Sequence, residues 1–490
     1  AIQNCLYGVD IDPGAVEIAK LRLWLSLVVD EEDIRQIKPL PNLDYKIVCG
    51  NSLLGVEKNL FNLELFNKYE RLKSLHFDET NTRKKQEYKE QIDKLIRQIT
   101  NNNQNFDFEV YFSEVFHKGN RGFDVVIGNP PYGFRNVLTK KEKTYFRKVE
   151  KIEFSSGDSA ELFSKKSFNN LVKTNGILTF IIPKKSLYGD AWEGFRTDYW
   201  GKYDVAFLLD SSKAFEEVLL EANAFGLVKS TKDLEVKLNY LSKSDTVCEF
   251  ARVKKEVVFM PNNTVQIYKA LYTNRLFEKI QANKAKVEMV EGRLGLAIGT
   301  DFFSDEPTKY KLLKGIDIER WGIKQHRYLK NKQKLNWNEA RKFLKPKILC
   351  QVLIAHIENP EPHIKITAAF DEEGIIITNT LMSFELDGRI NPKFWLGYLN
   401  STFLSWYAYN FVYSRAIRTM HFYNVYIQQI PIPKSAIENL TLQRPAIDVV
   451  DQILAITKSD DYHTNSTKQA KVKEYERQID QMVYQLYDLT

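Results

Sequence analysis

Cysteine, histidine and long apolar runs are scarce in this sequence, and each scarcity excludes a class of protein. The 490 residues include four cysteines, at positions 5, 49, 248 and 350. None forms a CxxC pair, so the sequence predicts neither a disulfide scaffold nor a zinc site of the usual spacing. The seven histidines are scattered, and we expect no metal site. We therefore expect a protein of a reducing, cytoplasmic compartment.

No apolar run approaches the roughly 18 residues of a membrane-spanning helix, so we expect no membrane partner. Charge is more informative, because 70 Lys and Arg against 63 Asp and Glu give a formal net charge of +7. An excess of positive charge favours a polyanionic partner, although a mildly basic enzyme has the same balance. The aromatic content of 13% suits base stacking and a large core equally well.

Short apolar strands alternate with helices through the first half of the chain. Residues 5–11 and 45–49 are predicted strands, and the helix predicted between them, 14–28, follows an Asp12-Pro13 cap. The other predicted elements are strands at 123–127, 177–182, 204–209 and 224–228 and a helix at about 160–173. Alternation of this kind predicts an α/β fold with a mostly parallel, doubly wound sheet.

The pattern also predicts three domains. The first is 1–240, in which Ile92, Leu95, Ile96 and Ile99 recur at helical spacing and indicate a helical insertion at about 56–110. A second domain is predicted at 241–434, with strands at 364–369, 374–378 and 381–386 and helices within 391–411. The third, 435–490, ends in a predicted amphipathic helix. Its apolar positions are Val472, Tyr475, Ile479, Met482 and Leu486.

The strongest functional signal is Asn129-Pro130-Pro131-Tyr132, directly after the strand at 123–127. Ligands of open α/β sheets bind beyond the carboxyl ends of the strands. The prolines restrict the loop, and the Asn oxygen and a proline carbonyl are two acceptors suited to the two N–H donors of an exocyclic amino group. Tyr132 supplies a flat face for a planar ring. We therefore predict a site that binds an amino group, the alternative being an ordinary rigid turn.

This tetrapeptide resembles motif IV of amino-group methyltransferases that use S-adenosylmethionine, especially the N(6)-adenine DNA methyltransferases. The resemblance implies catalytic roles for Asn129, Pro130, Pro131 and Tyr132, with Tyr132 stacking on an adenine flipped out of the duplex. It implies a Rossmann-like methyltransferase sheet, then an α+β target-recognition domain and C-terminal helices.

Two earlier segments resemble the cofactor motifs of the same family. Residues 9–13 resemble motif II, whose carboxylate accepts the ribose hydroxyls of the cofactor, and residues 50–53 resemble motif III, whose polar side chain contacts the adenine. The alternatives are a solvated carboxylate at a strand end and a turn asparagine. The resemblance assigns cofactor binding to Asp10, Ile11, Asn51, Ser52 and Leu53.

The resemblance includes one further aromatic residue, but the glycine-rich motif I is missing. Phe215 resembles the motif VIII aromatic that stacks on the flipped base, with a core phenylalanine as the alternative. The glycine-rich motif I and its strand do not precede Asp10. The resemblance therefore implies that this sequence is a fragment whose missing N-terminal part completes the S-adenosylmethionine site. We expect the fragment alone to be inactive.

The wider pattern resembles the type IIG restriction-modification enzymes, and the second half resembles the TaqI-like C-terminal specificity domain. The matching segments are 313–318, 345–348 and 396–433. Basic residues among aromatics in this half predict contacts with double-stranded DNA, although each one singly suits a solvated surface charge. The candidates are Lys314, Arg320, Lys324, Arg327, Arg415, Arg418 and His421.

Cleavage of DNA is not predicted from these residues. Type IIG enzymes usually carry a nuclease with a PD-(D/E)xK site, but no Pro-Asp pair occurs here, so Mg²⁺ is expected only for a nuclease outside this sequence. We expect an adenine-specific DNA methyltransferase that is a monomer, with an oligomer left open, and whose parent protein is also a candidate type II endonuclease. Two alternatives stay open: a methyltransferase for RNA or a protein glutamine, and a fragment that only recognises DNA.

Overall fold

The computed structural model describes most of the chain, and every structural statement below concerns these residues. They are 5–29, 43, 45–53, 63–79, 81–99, 106–116, 121–133, 139–148, 150–153, 155–212, 220–242, 244–260, 263–272, 274–285, 289–304, 306–330, 335–418 and 420–489. In this part of the chain, no helix combines the length and the apolar character that crossing a membrane requires.

Helices occupy both halves of the chain. The longer ones are α1 (Pro13–Val28), α2 (Leu63–Asp78), α3 (Thr82–Ile99), α4 (Lys140–Lys148), α5 (Ser159–Asn170), α6 (Asn274–Ala282), α7 (Pro392–Leu399), α8 (Thr402–Phe411), α9 (Arg444–Thr457) and α10 (Ser466–Leu486). Short helical turns span 108–111, 113–116, 184–187, 190–192, 193–195, 196–200, 255–258, 267–271, 300–302, 315–317, 337–340, 341–343, 424–427, 434–438 and 440–443.

The strands fall into a first group up to residue 253 and a second group after it. The first is β1 (Gly8–Asp10), β2 (Ile47–Cys49), β3 (Phe123–Gly128), β4 (Val172–Pro183), β5 (Asp204–Ser212), β6 (Ala222–Val228), β7 (Val236–Leu241) and β8 (Val247–Val253). The second is β9 (Val290–Leu294), β10 (Phe303–Ser304), β11 (Lys311–Leu313), β12 (Ile318–Glu319), β13 (Gly322–Ile323), β14 (Arg327–Leu329), β15 (Lys347–Gln351), β16 (Ala355–Ile357), β17 (His363–Lys365), β18 (Ala368–Asp371), β19 (Ile376–Ile377) and β20 (Leu381–Leu386).

The first group forms a mixed six-stranded sheet in the order β3-β4-β6-β5-β7-β8 and a separate parallel pair, β1-β2. In the larger sheet β3 is parallel to β4 and β5 to β7, whereas β8 is antiparallel to β7. The second group forms two four-stranded sheets, β10-β14-β11-β19 and β18-β15-β20-β9, and the hairpins β12-β13 and β16-β17. The predicted alternation of strands and helices is thus present.

The chain divides into two compact units, Ala1–Phe180 with Gly226–Thr231, and Ile181–Phe225 with Lys232–Thr490. In the first unit α2 and α3 form the predicted helical insertion, and its four isoleucine and leucine positions are buried. In the second unit α7 packs on α9, and α9 packs on α10. Helix α10 buries Val472 and Ile479 as its spacing predicted, together with Val483. The three-domain division stays a prediction.

Candidate active site and DNA-contacting residues

The Asn-Pro-Pro-Tyr loop begins where β3 ends. The parallel pairing of Gly128 with Phe180 brings the carboxyl end of β3 beside β4, the edge at which open sheets bind ligands. Asn129 is exposed, Pro130 is buried and Tyr132 is half-buried. The local order follows from the sequence, because two prolines restrict the backbone directly after a strand.

The beginning of helix α5 contacts this loop through hydrogen bonds. The Gly133 N–H donates to Oδ1 of Asp158, the residue that caps α5, at 3.2 Å, and the Ser159 hydroxyl donates to the Pro131 carbonyl at 2.5 Å. Burial, and secondarily the Asp158 charge, raise the pKa of Tyr132 to about 12. Burial also raises the pKa of Asp158 itself. The tyrosine is therefore a neutral ring at physiological pH.

The predicted cofactor carboxylate lies at the end of β1. The Asp10 side chain is exposed, and its Oδ1 accepts from the Asp12 N–H at 2.8 Å. Asp12 caps α1 as predicted, since its Oδ1 accepts from the Gly14 N–H at 2.7 Å. Ile11, between them, is 70% exposed. The Asp10 carboxylate is thus held in place at a strand end while facing solvent.

The turn after β2 has the second set of predicted cofactor residues. Gly50 is required there, because an added Cβ would lie 2.4 Å from the Phe106 ring. The Asn51 Oδ1 accepts from the Leu53 N–H at 3.0 Å, which closes a local turn. Ser52 is half-buried, whereas Leu53 is buried in a core cluster. The Asn51 oxygen keeps a second lone pair for an amino group.

A lysine that the sequence did not single out supports this turn. Lys166, on α5, is buried and donates to the Leu53 carbonyl at 2.6 Å. It also pairs with Glu150 at 3.2 Å, and burial lowers its pKa. One helix therefore contacts both the Asn-Pro-Pro-Tyr loop and the turn after β2. No sequence signal distinguishes Lys166 from a surface lysine.

Two strands of the first unit have open edges in the described part of the chain. Among the described strands, β1 pairs only with β2, and β3 lies at one end of the six-stranded order. On β3, Val125 is 58% and Ile127 is 78% exposed. Tyr7, just before β1, nevertheless lies 5.4 Å from the Phe123 ring, and both belong to one apolar cluster. The two edges are thus joined through a shared core.

A cleft of about 470 Å³ opens elsewhere in the first unit, beside the start of α1 and the end of α3. Its polar lining includes Glu17, Lys20, Asp93 and Arg97. None of the five predicted cofactor residues lines it. The described residues also contain no cluster of three or more metal-ligating His, Cys, Asp or Glu side chains.

The first predicted DNA cluster, in the second unit, is partly engaged internally. Arg327 pairs with both oxygens of buried Asp317 at 3.0 Å each. Arg320 donates to the Ile366 carbonyl at 3.1 Å, and burial lowers its pKa. Lys314 lies over the Phe303 ring at 4.3 Å. Lys324 is exposed.

The second predicted DNA cluster is engaged within the protein through both side-chain and backbone contacts. The Arg415 guanidinium stacks over Tyr268 at 4.3 Å and donates to Asn410 at 2.8 Å. Arg418 is half-buried, and its backbone N–H donates to Glu221 at 2.8 Å. The His421 ring stacks on Tyr423, with centroids 5.2 Å apart.

Buried charges that the sequence did not single out lie beside this second cluster. Lys184 and Asp210 are each 1% exposed and pair at 2.7 Å, and Lys184 also donates to the Arg415 carbonyl at 3.1 Å. Tyr268 donates to the same Asp210 carboxylate at 2.5 Å. The signal that could have revealed them is a charged residue within or directly after an apolar strand. Phe215, the predicted stacking aromatic, lies outside the described residues.

Comparison with known families accounts for this arrangement. Residues 4–215 match the family model described as Eco57I restriction-modification methylase, and residues 310–432 match the TaqI-like C-terminal specificity domain. The first region of the chain is therefore similar to Eco57I-type restriction-modification methylases, and the later region is similar to TaqI-like specificity domains. The methylase match contains the Asn129–Tyr132 loop and both predicted cofactor segments, and the specificity match contains both basic clusters.

Two curated relatives are similar over parts of their length. RM.MjaORFECS2P of Methanocaldococcus jannaschii is 25% identical over 83% of this chain and 42% of its own length. The type II restriction enzyme and methyltransferase RM.Eco57I of Escherichia coli is 27% identical over 39% of this chain and 15% of its own. The chain therefore spans less than half the length of these relatives.

Among solved structures, the type IIL restriction-modification enzyme MmeI, determined in complex with DNA, has the same fold. Its TM-score is 0.50 at 12% identity, over 75% of this chain and 55% of MmeI. The predicted fold class, a methyltransferase-type α/β sheet with an added α+β region and helices, is confirmed.

Proposed function

We propose that the chain is the methyltransferase and target-recognition part of an enzyme that methylates N(6) of adenine in double-stranded DNA. The observation that carries the proposal is the Asn129–Tyr132 loop at the carboxyl end of β3. Its support is the match of residues 4–215 to restriction-modification methylases and of residues 310–432 to a specificity domain. The Asn129 oxygen and the Pro130 carbonyl accept the two amino hydrogens of a flipped adenine.

The residues act by binding and orienting the base. Both oxygens are acceptors without a proton of their own, so each can accept one N–H of the amino group. With both hydrogens directed at the loop, the nitrogen lone pair points away from it. The neutral Tyr132 ring stacks on the base. Phe215 is a second candidate for stacking, because its sequence segment resembles the motif VIII of the family. S-adenosylmethionine, when bound, supplies the methyl group. The exposed Asp10 carboxylate fits its ribose hydroxyls and Asn51 its adenine amino group, with Ile11, Ser52 and Leu53 beside them.

We also propose that the cofactor site is incomplete in these 490 residues. Among the described strands, β1 and β3 each have an unpaired edge, and these edges fit an inserted parallel strand with the glycine-rich loop that follows it. The exposed side chains of Val125 and Ile127 fit the covered face that parallel sheets have. Calorimetry of S-adenosylmethionine binding tests this, on these residues and on a form extended upstream. Binding by the extended form alone supports the proposal, and binding by these residues alone contradicts it.

Transfer of a labelled methyl group from S-adenosylmethionine tests the activity. In an active form of the enzyme, Asn129→Ala should abolish methylation of DNA, whereas the exposed Asn170→Ala should leave it unchanged. Mass spectrometry of the digested DNA should show N(6)-methyladenine. Methylation of RNA or of a protein glutamine would instead support the alternative substrates. Sequence-specific DNA binding without any methyl transfer would indicate that the chain only recognises DNA.

The basic clusters of the second unit contact DNA, with Lys314, Arg320, Lys324, Arg327, Arg415, Arg418 and His421 as candidates. The enzyme acts in the cytoplasm as a monomer. Mg²⁺ belongs only to a nuclease outside these residues. Sedimentation of the enzyme with and without a DNA duplex measures the oligomeric state, and a stable dimer would contradict this part.

A further inference from the structure

We infer that Ser159 and Asp158 are positioning residues, which hold the Asn129–Tyr132 loop in the shape that receives an amino group. The inference rests on the proposed function, because it concerns the same loop. Neither residue belongs to the tetrapeptide, and neither was a candidate from the sequence.

Three hydrogen bonds connect the loop to the first turn of α5. The Ser159 hydroxyl donates to the Pro131 carbonyl at 2.5 Å, and the Ser159 N–H donates to the Gly133 carbonyl at 3.2 Å. The Gly133 N–H donates to Asp158 Oδ1 at 3.2 Å. Ser159 and Asp158 are each only 2% exposed, so water competes little for these bonds.

The anchor is itself held by buried groups. Asp158 accepts from the Ala160 N–H at 3.0 Å, and its own N–H donates to the Ser156 hydroxyl at 3.0 Å. That hydroxyl donates to Glu161 at 2.5 Å, and Glu161, which is fully buried, pairs with Lys165 at 2.7 Å. The anchor is therefore part of a connected buried network and not a single surface contact.

The bond from Ser159 also decides which acceptors remain. It occupies the Pro131 carbonyl, whereas among the described residues no hydrogen bond reaches the Asn129 amide or the Pro130 carbonyl. Gly133, at φ +143°, turns the chain back toward Asp158 in a conformation that favours glycine. The anchor therefore leaves the two acceptors assigned to the adenine amino group available and aligned.

The test is a pair of serine variants on one helix. Ser159→Ala removes the hydroxyl that reaches the loop, while Ser164→Ala removes a fully buried hydroxyl that donates to the Ala160 carbonyl at 2.7 Å, within α5 itself. In an active form of the enzyme, Ser159→Ala should lower kcat about tenfold, because misplaced acceptors reduce alignment in the transition state. KM for DNA and for S-adenosylmethionine should stay within about twofold.

Further readouts separate positioning from folding. The melting temperatures of the two alanine variants should be alike, and Ser159→Thr, which keeps the hydroxyl, should recover part of kcat. Fluorescence of 2-aminopurine at the target position should still report a flipped base in Ser159→Ala. An unchanged kcat in Ser159→Ala, or an equal loss in Ser164→Ala, would overturn the inference. If Asn129→Ala also retained full methylation, the proposed function itself would fail.

Discussion

At the scale of single residues, burial determines which polar groups are available. Asn129 is exposed at the end of β3, whereas Arg327 and Lys184 already pair with buried carboxylates. Charge alone does not distinguish a DNA-contacting residue from a structural one, because a buried charge requires a partner. The side-chain environment separates the two roles.

Tyr132 should ionise at a higher pH than an ordinary tyrosine. Its pKa is raised to about 12, mainly by burial, so it should stay protonated where an ordinary tyrosine ionises. The difference in ultraviolet absorbance between the wild type and Tyr132→Phe should therefore show its tyrosinate step near pH 12. A step near pH 10 would contradict the half-buried position of the ring.

The pair of Lys184 and Asp210 should be essential for stability. Lys184→Met leaves a buried carboxylate without its cation, so we expect the free energy of unfolding in urea to fall by about 3 kcal/mol. Asp210→Asn added to this variant should restore part of the loss, since it removes one of the two carboxylate charges, those of Asp210 and Glu221, that Lys184 pairs with. The exposed pair of Lys202 and Asp198 provides the control, because Lys202→Ala should change stability little. Equal losses at both pairs would refute this interpretation.

At the scale of elements, short polar contacts decide where helices begin and how loops are held. The loop 414–418 contains two residues with positive φ, Ser414 at 48° and Arg415 at 55°. The Glu221 carboxylate accepts from the Ile417 and Arg418 N–H groups at 2.8 Å each. A carboxylate that receives two backbone donors holds this segment in an otherwise unfavourable conformation.

Glu221→Ala should loosen that loop. Without the acceptor, the backbone N–H groups of Ile417 and Arg418 should exchange with solvent at least tenfold faster, because each loses its hydrogen bond. Hydrogen exchange measured by mass spectrometry on peptides covering 414–418 checks this. Glu221→Gln keeps an acceptor oxygen, so its exchange rates should lie between those of the wild type and those of Glu221→Ala. Unchanged exchange in the alanine variant would show that other contacts hold the loop.

At the scale of the whole molecule, the net charge of +7 favours a polyanionic partner without locating it. The structure divides the basic candidates by environment. Lys324 is exposed, whereas Arg327 is bound to Asp317. Only the first type is free to neutralise a phosphate without disturbing the fold.

Salt dependence should separate these two types. Lys324→Ala should weaken DNA binding similarly for all sequences and reduce the slope of log K against log salt by about one, with the melting temperature unchanged. Arg327→Ala should lower the melting temperature, because it leaves Asp317 buried and unpaired. Fluorescence anisotropy at several salt concentrations measures the slope. An unchanged slope in Lys324→Ala would exclude a phosphate contact there.

The parts of the fold that were predicted correctly are those that local chemistry controls. The Asp12 cap, the buried stripe from Ile92 to Ile99 and the strand before Asn129 each depend on residues at most a few positions apart. Helical spacing, proline placement and capping act over a turn or a strand. The sequence alone therefore located the candidate loop and the alternation of the α/β region.

Tertiary structure alone decided which side chains are engaged. Ser159 reaches the Pro131 carbonyl 28 residues away, and Lys166 reaches the Leu53 carbonyl 113 residues away. The same is true of Lys184 and the Arg415 carbonyl, 231 residues apart. Such pairs form because folding removes both partners from water, and a buried polar group must find whichever partner the packing brings near. The sequence by itself determined the elements and the candidate loop, whereas packing determined how that loop is held and which charges stay exposed.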